Sequence, residues 1–457
     1  MAPRSRTLVL VLALSSCKPV SGGGFRPQVD ACAEGTETSW ENTGRPIILS
    51  WCLPCHSQVL EASERQGAPE GVNFDDYEAV LGWAERIGAR ATASGGMPPM
   101  GGVPEADLDA LQEWLACDLP GGTTVAPAFC EAPAVLEAPP SASDLACDTA
   151  VAIEGDLQVD VEADLDCVCS VSGDLIVAAP VASFSHLESV EGTIRVTAPE
   201  VIAVSLPVLT EAGALQLSGS GLSVLDLSEL RSVAGEVEVS GLATLDEILL
   251  PELASVGASM HVENVDATRL VIDRLATVGG GFVVRDAPRL AEIRGTRSLS
   301  ALGGDLVLET LPALASVDDF AELAQAPASV VLRDLGAVSV NGFHRLVQVD
   351  GDVVVENCSG LLEARGFPDL ERVGGALIWR VNPVVTTWEG LNYLVDIGGD
   401  LRIEENAVLE ALPSIQRLEH VGGDFVVRDN PQLPTVSAEN VAAQVDIDGD
   451  VEISGNL

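Results

Sequence analysis

The chain has almost no lysine. Lys18 stands alone among 457 residues, which removes Schiff-base and P-loop chemistry from nearly its whole length. Positive charge is scarce altogether: 24 Lys plus Arg face 69 Asp plus Glu, for a net charge of −45. A surface this acidic repels phosphate backbones and anionic lipid heads, so it argues against nucleic acid as a partner. Aromatic residues are only 4% of the chain, although 47% of residues are hydrophobic and Gly numbers 44. That mixture is too apolar for a disordered acidic protein. It points to many thin, regular β layers rather than one aromatic core. Neither a GxSxG elbow nor another nucleophile with a local base is present. Beyond the N-terminus no run reaches the roughly 18 uncharged apolar residues that a spanning helix needs.

The N-terminus reads as a targeting segment. Arg4 and Arg6 precede the apolar run Leu8 to Leu14, so residues 1–16 have the build of a signal peptide. The run ends Leu14-Ser15-Ser16-Cys17, which resembles the bacterial lipobox. The resemblance implies cleavage before Cys17, lipidation of Cys17 and a flexible tether over 17–29. The alternative is an ordinary secretory signal with an incidental cysteine. Both place the protein outside the cytoplasm, in the periplasm or at the outer membrane or cell surface, lipid-anchored on the first reading.

Residues 30–120 differ in composition from the rest of the chain, holding Trp40, Trp51, Trp83 and Trp114 of the six tryptophans. Their central feature is Cys52-Leu53-Pro54-Cys55-His56, a C-x-x-C-H run that reads as a c-type haem attachment site. Two thiols three positions apart on one turn reach the two vinyl groups of one haem, and the next residue presents an imidazole to the iron. An apolar helix (Arg45 to Trp51) approaches the motif. A second helix is expected from Asn73-Phe74-Asp75 to about Ala93, with Tyr77, Val80, Leu81, Ala84 and Ile87 on one face. A loop Gly95-Gly96-Met97-Pro98-Pro99-Met100 comes next. A last helix, from near Pro104, carries Leu108, Leu111, Trp114 and Leu115 on one face.

This order resembles the small all-α class I cytochrome c domain of bacterial exported proteins. The resemblance implies thioethers at Cys52 and Cys55, one covalent haem c, His56 as proximal iron ligand and Met97 as distal ligand, with Met100 the competitor. Prolines stiffen the loop, which suits a weak thioether ligand. A structural disulfide or a zinc site are the alternatives. Zinc wants a second C-x-x-C or a His pair, and neither occurs at the required spacing.

Residues 121–150 have the Pro, Gly, Ser and Thr content of a linker. In an exported protein most of the remaining cysteines should pair. Cys32 and Cys117 flank the haem segment. Cys130, Cys147, Cys167 and Cys169 cluster at the start of the next region, and four cysteines allow three pairings.

Residues 151–457 repeat a unit about thirteen times. Gly351, Gly375, Gly399 and Gly423 each open one, 24 residues apart, and the earlier units run closer to 18 to 22. A period of this size means a solenoid. Each unit has an alternating strand such as Leu-Arg-Ile, an Asn (Asn382, Asn406, Asn430) and a Leu-x-x-Val. The strand points two side chains inward, and a buried Asn satisfies the backbone of its bend and of neighbouring turns. Cys358 occupies the Asn position and reads as structural. The pattern resembles the receptor L-domain, a right-handed β-solenoid relative of leucine-rich repeats. Gly-Asp pairs at the strand start read as turn caps rather than as a calcium ladder, since the Asp returns only once per turn.

Two functions stand as expectations. One is an exported, lipid-anchored c-type cytochrome that transfers one electron to an unidentified redox protein and is docked by its solenoid; it is a carrier, not an enzyme. The other is a surface recognition or structural protein whose solenoid takes a protein or glycan ligand and whose C-x-x-C-H segment carries no working haem.

Overall fold

The computed structural model describes residues 39–457 with short breaks, the longest at 58–64, 92–102 and 117–129. The chain divides into two compact units, 1–124 and 125–457.

In the first unit a π-helical turn, Trp40–Gly44, runs into helix α1, Arg45–Trp51, followed by α2, Tyr77–Arg90, and α3, Glu105–Ala116. Trp40, Ile48, Val80, Ile87, Leu111 and Trp114 form its core. Gly44 sits against the Trp114 ring so closely that a Cβ would lie 2.7 Å from it. The entering turn and α3 therefore touch through backbone and indole, which any larger residue would wedge apart. Trp51 Nε1 donates to Asp107 Oδ2 at 3.1 Å, fixing the end of α1 against α3. Helix α2 begins at Tyr77, later than expected. Phe74 N donates to His56 O at 2.7 Å, which holds 72–74 outside the helix.

The second unit is a right-handed β-solenoid of about twelve turns. This is slightly fewer than the thirteen or so Gly-marked units, which include short irregular ones at the start and a partial one at Gly449. The strand pairings of the stack are all parallel and join one turn to the next, as in Leu377↔Leu401↔Phe425↔Val451. Period-two alternation buries Leu401 and Ile403, Phe425 and Val427. The stack begins inside the expected linker: Ala134–Glu137 pairs in parallel with Val151–Glu154. Disulfides Cys130–Cys169 and Cys147–Cys167 select one of the three pairings left open by the sequence and staple this end. Cys32 and Cys117 lie outside the described residues.

In eight successive turns, from the strand Met260–Glu263 on, a left-handed residue stands at or near the strand's end: Asn264, Asp286, Thr310, Asp334, Asn357, Val381, Glu405 and Asp429 all have φ between 53° and 57°. The residue after the bend points into the core. It is Val265, Ala287, Leu311 and Leu335 in four successive turns, then Cys358, and only then Asn382, Asn406 and Asn430. The asparagine ladder thus belongs to the C-terminal turns alone. Asn406 Oδ1 accepts from Asn382 N at 3.1 Å, and Asn406 Nδ2 donates to Trp379 O at 3.2 Å and to Asn430 Oδ1 at 3.0 Å. Cys358 N donates to Asn382 Oδ1 at 3.0 Å. Burial pushes the Cys358 thiol up to about 12, which leaves it an inert small core residue.

The recurrent aspartates cap the following turn. Asp352 Oδ1 accepts from Ala376 N at 2.7 Å, Asp400 Oδ1 from Asp424 N at 2.8 Å and Asp424 Oδ1 from Asp450 N at 3.0 Å. The bond from Asp424 N, and then Arg402, hold the Asp400 carboxyl below the usual carboxylate range. Asp400→Ala is therefore expected to cost about 1 kcal/mol at neutral pH even after solvent screening, more than the roughly 0.5 kcal/mol of a merely solvating side chain. A carboxyl with a lowered folded pKa contributes fully above its unfolded value of about 3.9 and loses that contribution as pH falls further. Denaturant titrations at pH 7 and pH 3 should show the gap between wild type and Asp400→Ala narrowing at the lower pH.

Candidate functional site

The C-x-x-C-H residues are brought together where α1 stops. Cys52 is the residue capping the C-terminus of α1, and its N–H reaches Ile48 O at 2.9 Å. The chain then winds once more, with Cys55 N at 3.2 Å and His56 N at 3.0 Å from Cys52 O. Both thiols are half-buried and neither is in a disulfide. Burial, and then the neighbouring Cys55, push the Cys52 thiol up to about 11. A dithiol oxidoreductase needs the opposite, a depressed thiol.

The His56 ring is held on two sides. Its Nδ1 lies 3.0 Å from Val72 O. A carbonyl oxygen only accepts, so Nδ1 carries a proton, and in the neutral ring Nε2 is the nitrogen with the lone pair. Phe74 stacks on the ring at 4.6 Å between centroids and 28° between planes. A histidine oriented by an Nδ1–H bond to a carbonyl, with Nε2 left as a donor to a metal, is the arrangement that metal-ligating histidines adopt. Two thiols on one turn and an adjacent oriented imidazole fit the chemistry of a covalently bound haem. Met97, Met100 and Cys17 lie outside the described residues.

Among the described residues no group of three or more His, Cys, Asp or Glu is placed to hold a metal ion. That bears on a bare ion and not on haem, whose in-plane ligands come with the group. No described helix is long and apolar enough to cross a membrane.

Val72 and Arg65 complete the surroundings of His56, and neither belongs to a motif. Their one mark in the sequence is a lone arginine in a stretch otherwise leading to apolar helix residues. The other histidines lie in the solenoid. His420 sits between Asp396, 2.9 Å from Nδ1, and Asp448, 3.3 Å from Nε2, and both bonds raise its pKa. These are exposed pairs between neighbouring turns.

The solenoid also carries a groove of about 630 Å³ running over six turns, from Ser189 and Glu191 to Ala301 and Gly303. Small residues and backbone line it, and its acidic residues, Glu191 and Glu211, lie in the first two turns. It brings together no acid–base pair or nucleophile.

Comparison with known proteins adds no assignment: no family model, curated protein or solved structure matches the chain.

Proposed function

We propose that residues 30–120 form a class I cytochrome c-like domain with one covalent haem c. On this reading the protein is an exported, lipid-anchored electron carrier whose receptor L-domain-like solenoid docks it to a redox partner or an envelope component. The observation that carries the proposal is the turn 52–56, with two unpaired thiols and an imidazole whose Nε2 is left for iron. A haem bound there supplies reversible one-electron exchange at its iron. Cys52 and Cys55 hold it through thioethers. His56 binds as the proximal ligand, oriented by Val72 O and shielded on one ring face by Phe74. Met97 would supply the second iron ligand, with Met100 the competitor.

Protein purified from a host with cytochrome c maturation should show a low-spin haem c spectrum and keep one haem in its mass after denaturation. Met97→Ala should remove the methionine–iron band and leave the haem attached. Loss of that band in Met100→Ala alone would reassign the ligand, and a high-spin wild type would mean an open iron site, as a haem enzyme such as a peroxidase needs, and would count against the carrier reading. In the same host Cys17→Ser should move the protein from the membrane to the soluble exported fraction. A haem-free mass despite normal maturation would leave the second reading, a recognition or structural solenoid, which the six-turn groove favours.

A further inference from the structure

Arg65 is 1% exposed, and among the described residues no carboxylate pairs with it. Its guanidinium is surrounded by neutral oxygens instead. Nη1 donates to Ser57 O, and Nη2 lies 2.9 Å from Pro69 O, 2.9 Å from Val72 O and 2.7 Å from Asn73 Oδ1. A buried cation is costly unless hydrogen bonds replace its water, and the planar fork of arginine suits several fixed acceptors at once. One of those acceptors is already in use. Val72 O also accepts from His56 Nδ1 at 3.0 Å, so guanidinium and imidazole share a single oxygen.

We propose that Arg65 is a positioning residue for His56 and that, through the shared Val72 carbonyl, it raises the reduction potential of a haem held there. The inference rests on the haem reading above. Two effects act in the same direction. A cation bonded to the carbonyl draws electron density from it, so it accepts more weakly from Nδ1–H. The imidazole then has less imidazolate character and donates less to iron, which favours the ferrous state. The fixed positive charge, two hydrogen bonds from the ring, also disfavours the more positive ferric state in a site of low dielectric.

The test compares full-length wild type, Arg65→Lys and Arg65→Met from a host with cytochrome c maturation, each titrated potentiometrically. All three should carry covalent haem. Arg65→Met should shift the ferric-to-ferrous ratio at fixed ambient potential about tenfold toward ferric, equivalent to about 59 mV for one electron. Arg65→Lys keeps the charge without the fork and should fall between the two. A haem-loaded Arg65→Met with unchanged or higher potential would overturn the proposal. Should that variant not fold, Arg65→Lys decides: a lower potential supports the idea and an equal one defeats it. A readout without haem separates this inference from the reading beneath it. Side-chain nitrogen spectra of haem-free chain should show His56 fixed as the Nδ1–H tautomer, with that signal displaced in Arg65→Met. If wild type takes no haem, the haem reading fails, and displacement or constancy of the His56 signal still supports or refutes the Arg65 coupling to His56.

Discussion

Protein carrying Cys52→Ser and Cys55→Ser together is expected to leave a haem-maturing host with no covalent haem, while its solenoid unfolds at the same denaturant concentration as that of wild type. The first half is a matter of bond chemistry. A hydroxyl does not replace a thiol in forming a thioether to a vinyl group, and His56 alone gives no covalent hold. The second half rests on the two separate hydrophobic cores, one for each compact unit. Mass spectrometry of denatured protein measures the first, and denaturation followed by far-ultraviolet circular dichroism, which the β-solenoid dominates, measures the second. A variant that still carries covalent haem would show that attachment does not use this turn. A solenoid that loses stability with the haem would show that the two units are energetically coupled.

The second large effect is expected at Asn406. Replacing it by Leu strands two buried groups, the N–H of Asn382 and the carbonyl of Trp379, which bond to its side chain at 3.1 Å and 3.2 Å. At about 1–3 kcal/mol for each unmade buried bond, the loss should be about 3 kcal/mol. In a quasi-one-dimensional stack it should stay local. Proteolysis followed by mass mapping should therefore find new cleavage near 380–430 and none near 260–310. The earlier turns define the outcome that would refute this. Leu311 and Leu335 occupy the same inward position without an amide, and there the strands run six residues, Leu306–Leu311 and Val330–Leu335, rather than four, with Leu311 and Leu335 in register. If Asn406→Leu costs little, the four-residue strand has lengthened in the same way and the amide is dispensable.

The solenoid was legible because its signal is repeated: the Gly starts, the alternating strand residues and the Asn each recur, so errors in one unit are corrected by the next. The change from Leu335 through Cys358 to Asn382 was less visible, since a pattern drawn from the most regular turns hides the apolar ones. The left-handed bend was only partly legible: five of its eight residues are Asn or Asp, which tolerate positive φ, and the other three are not. Val381 and Thr310 occupy it, and neither residue type advertises positive φ; the stack imposes the conformation. The early strand at 134–137 was hidden by the prolines around it, and its pairing is set by disulfides between residues 20 and 39 positions apart. At the candidate site the residues of the proposed haem turn were plain from C-x-x-C-H. The shared carbonyl was not, because a backbone oxygen has no letter in the sequence.

The two side-chain ladders of the C-terminal turns point in opposite directions along the chain. An aspartate serves the turn made after it, as Asp400 serves Asp424 N, whereas an asparagine serves the turn made before it, as Asn406 serves Asn382 N. A turn added at the C-terminal end of the stack thus meets an acceptor already in place for its own first strand. It also delivers the amide that finishes its predecessor. Growth from the N-terminal end adds one complete layer at a time, and an arrest within this region exposes only one unfinished bend, the most recent. By the same arrangement, stripping the last layer would take from its predecessor only the amide that completes its bend and leave the acceptors beneath it intact.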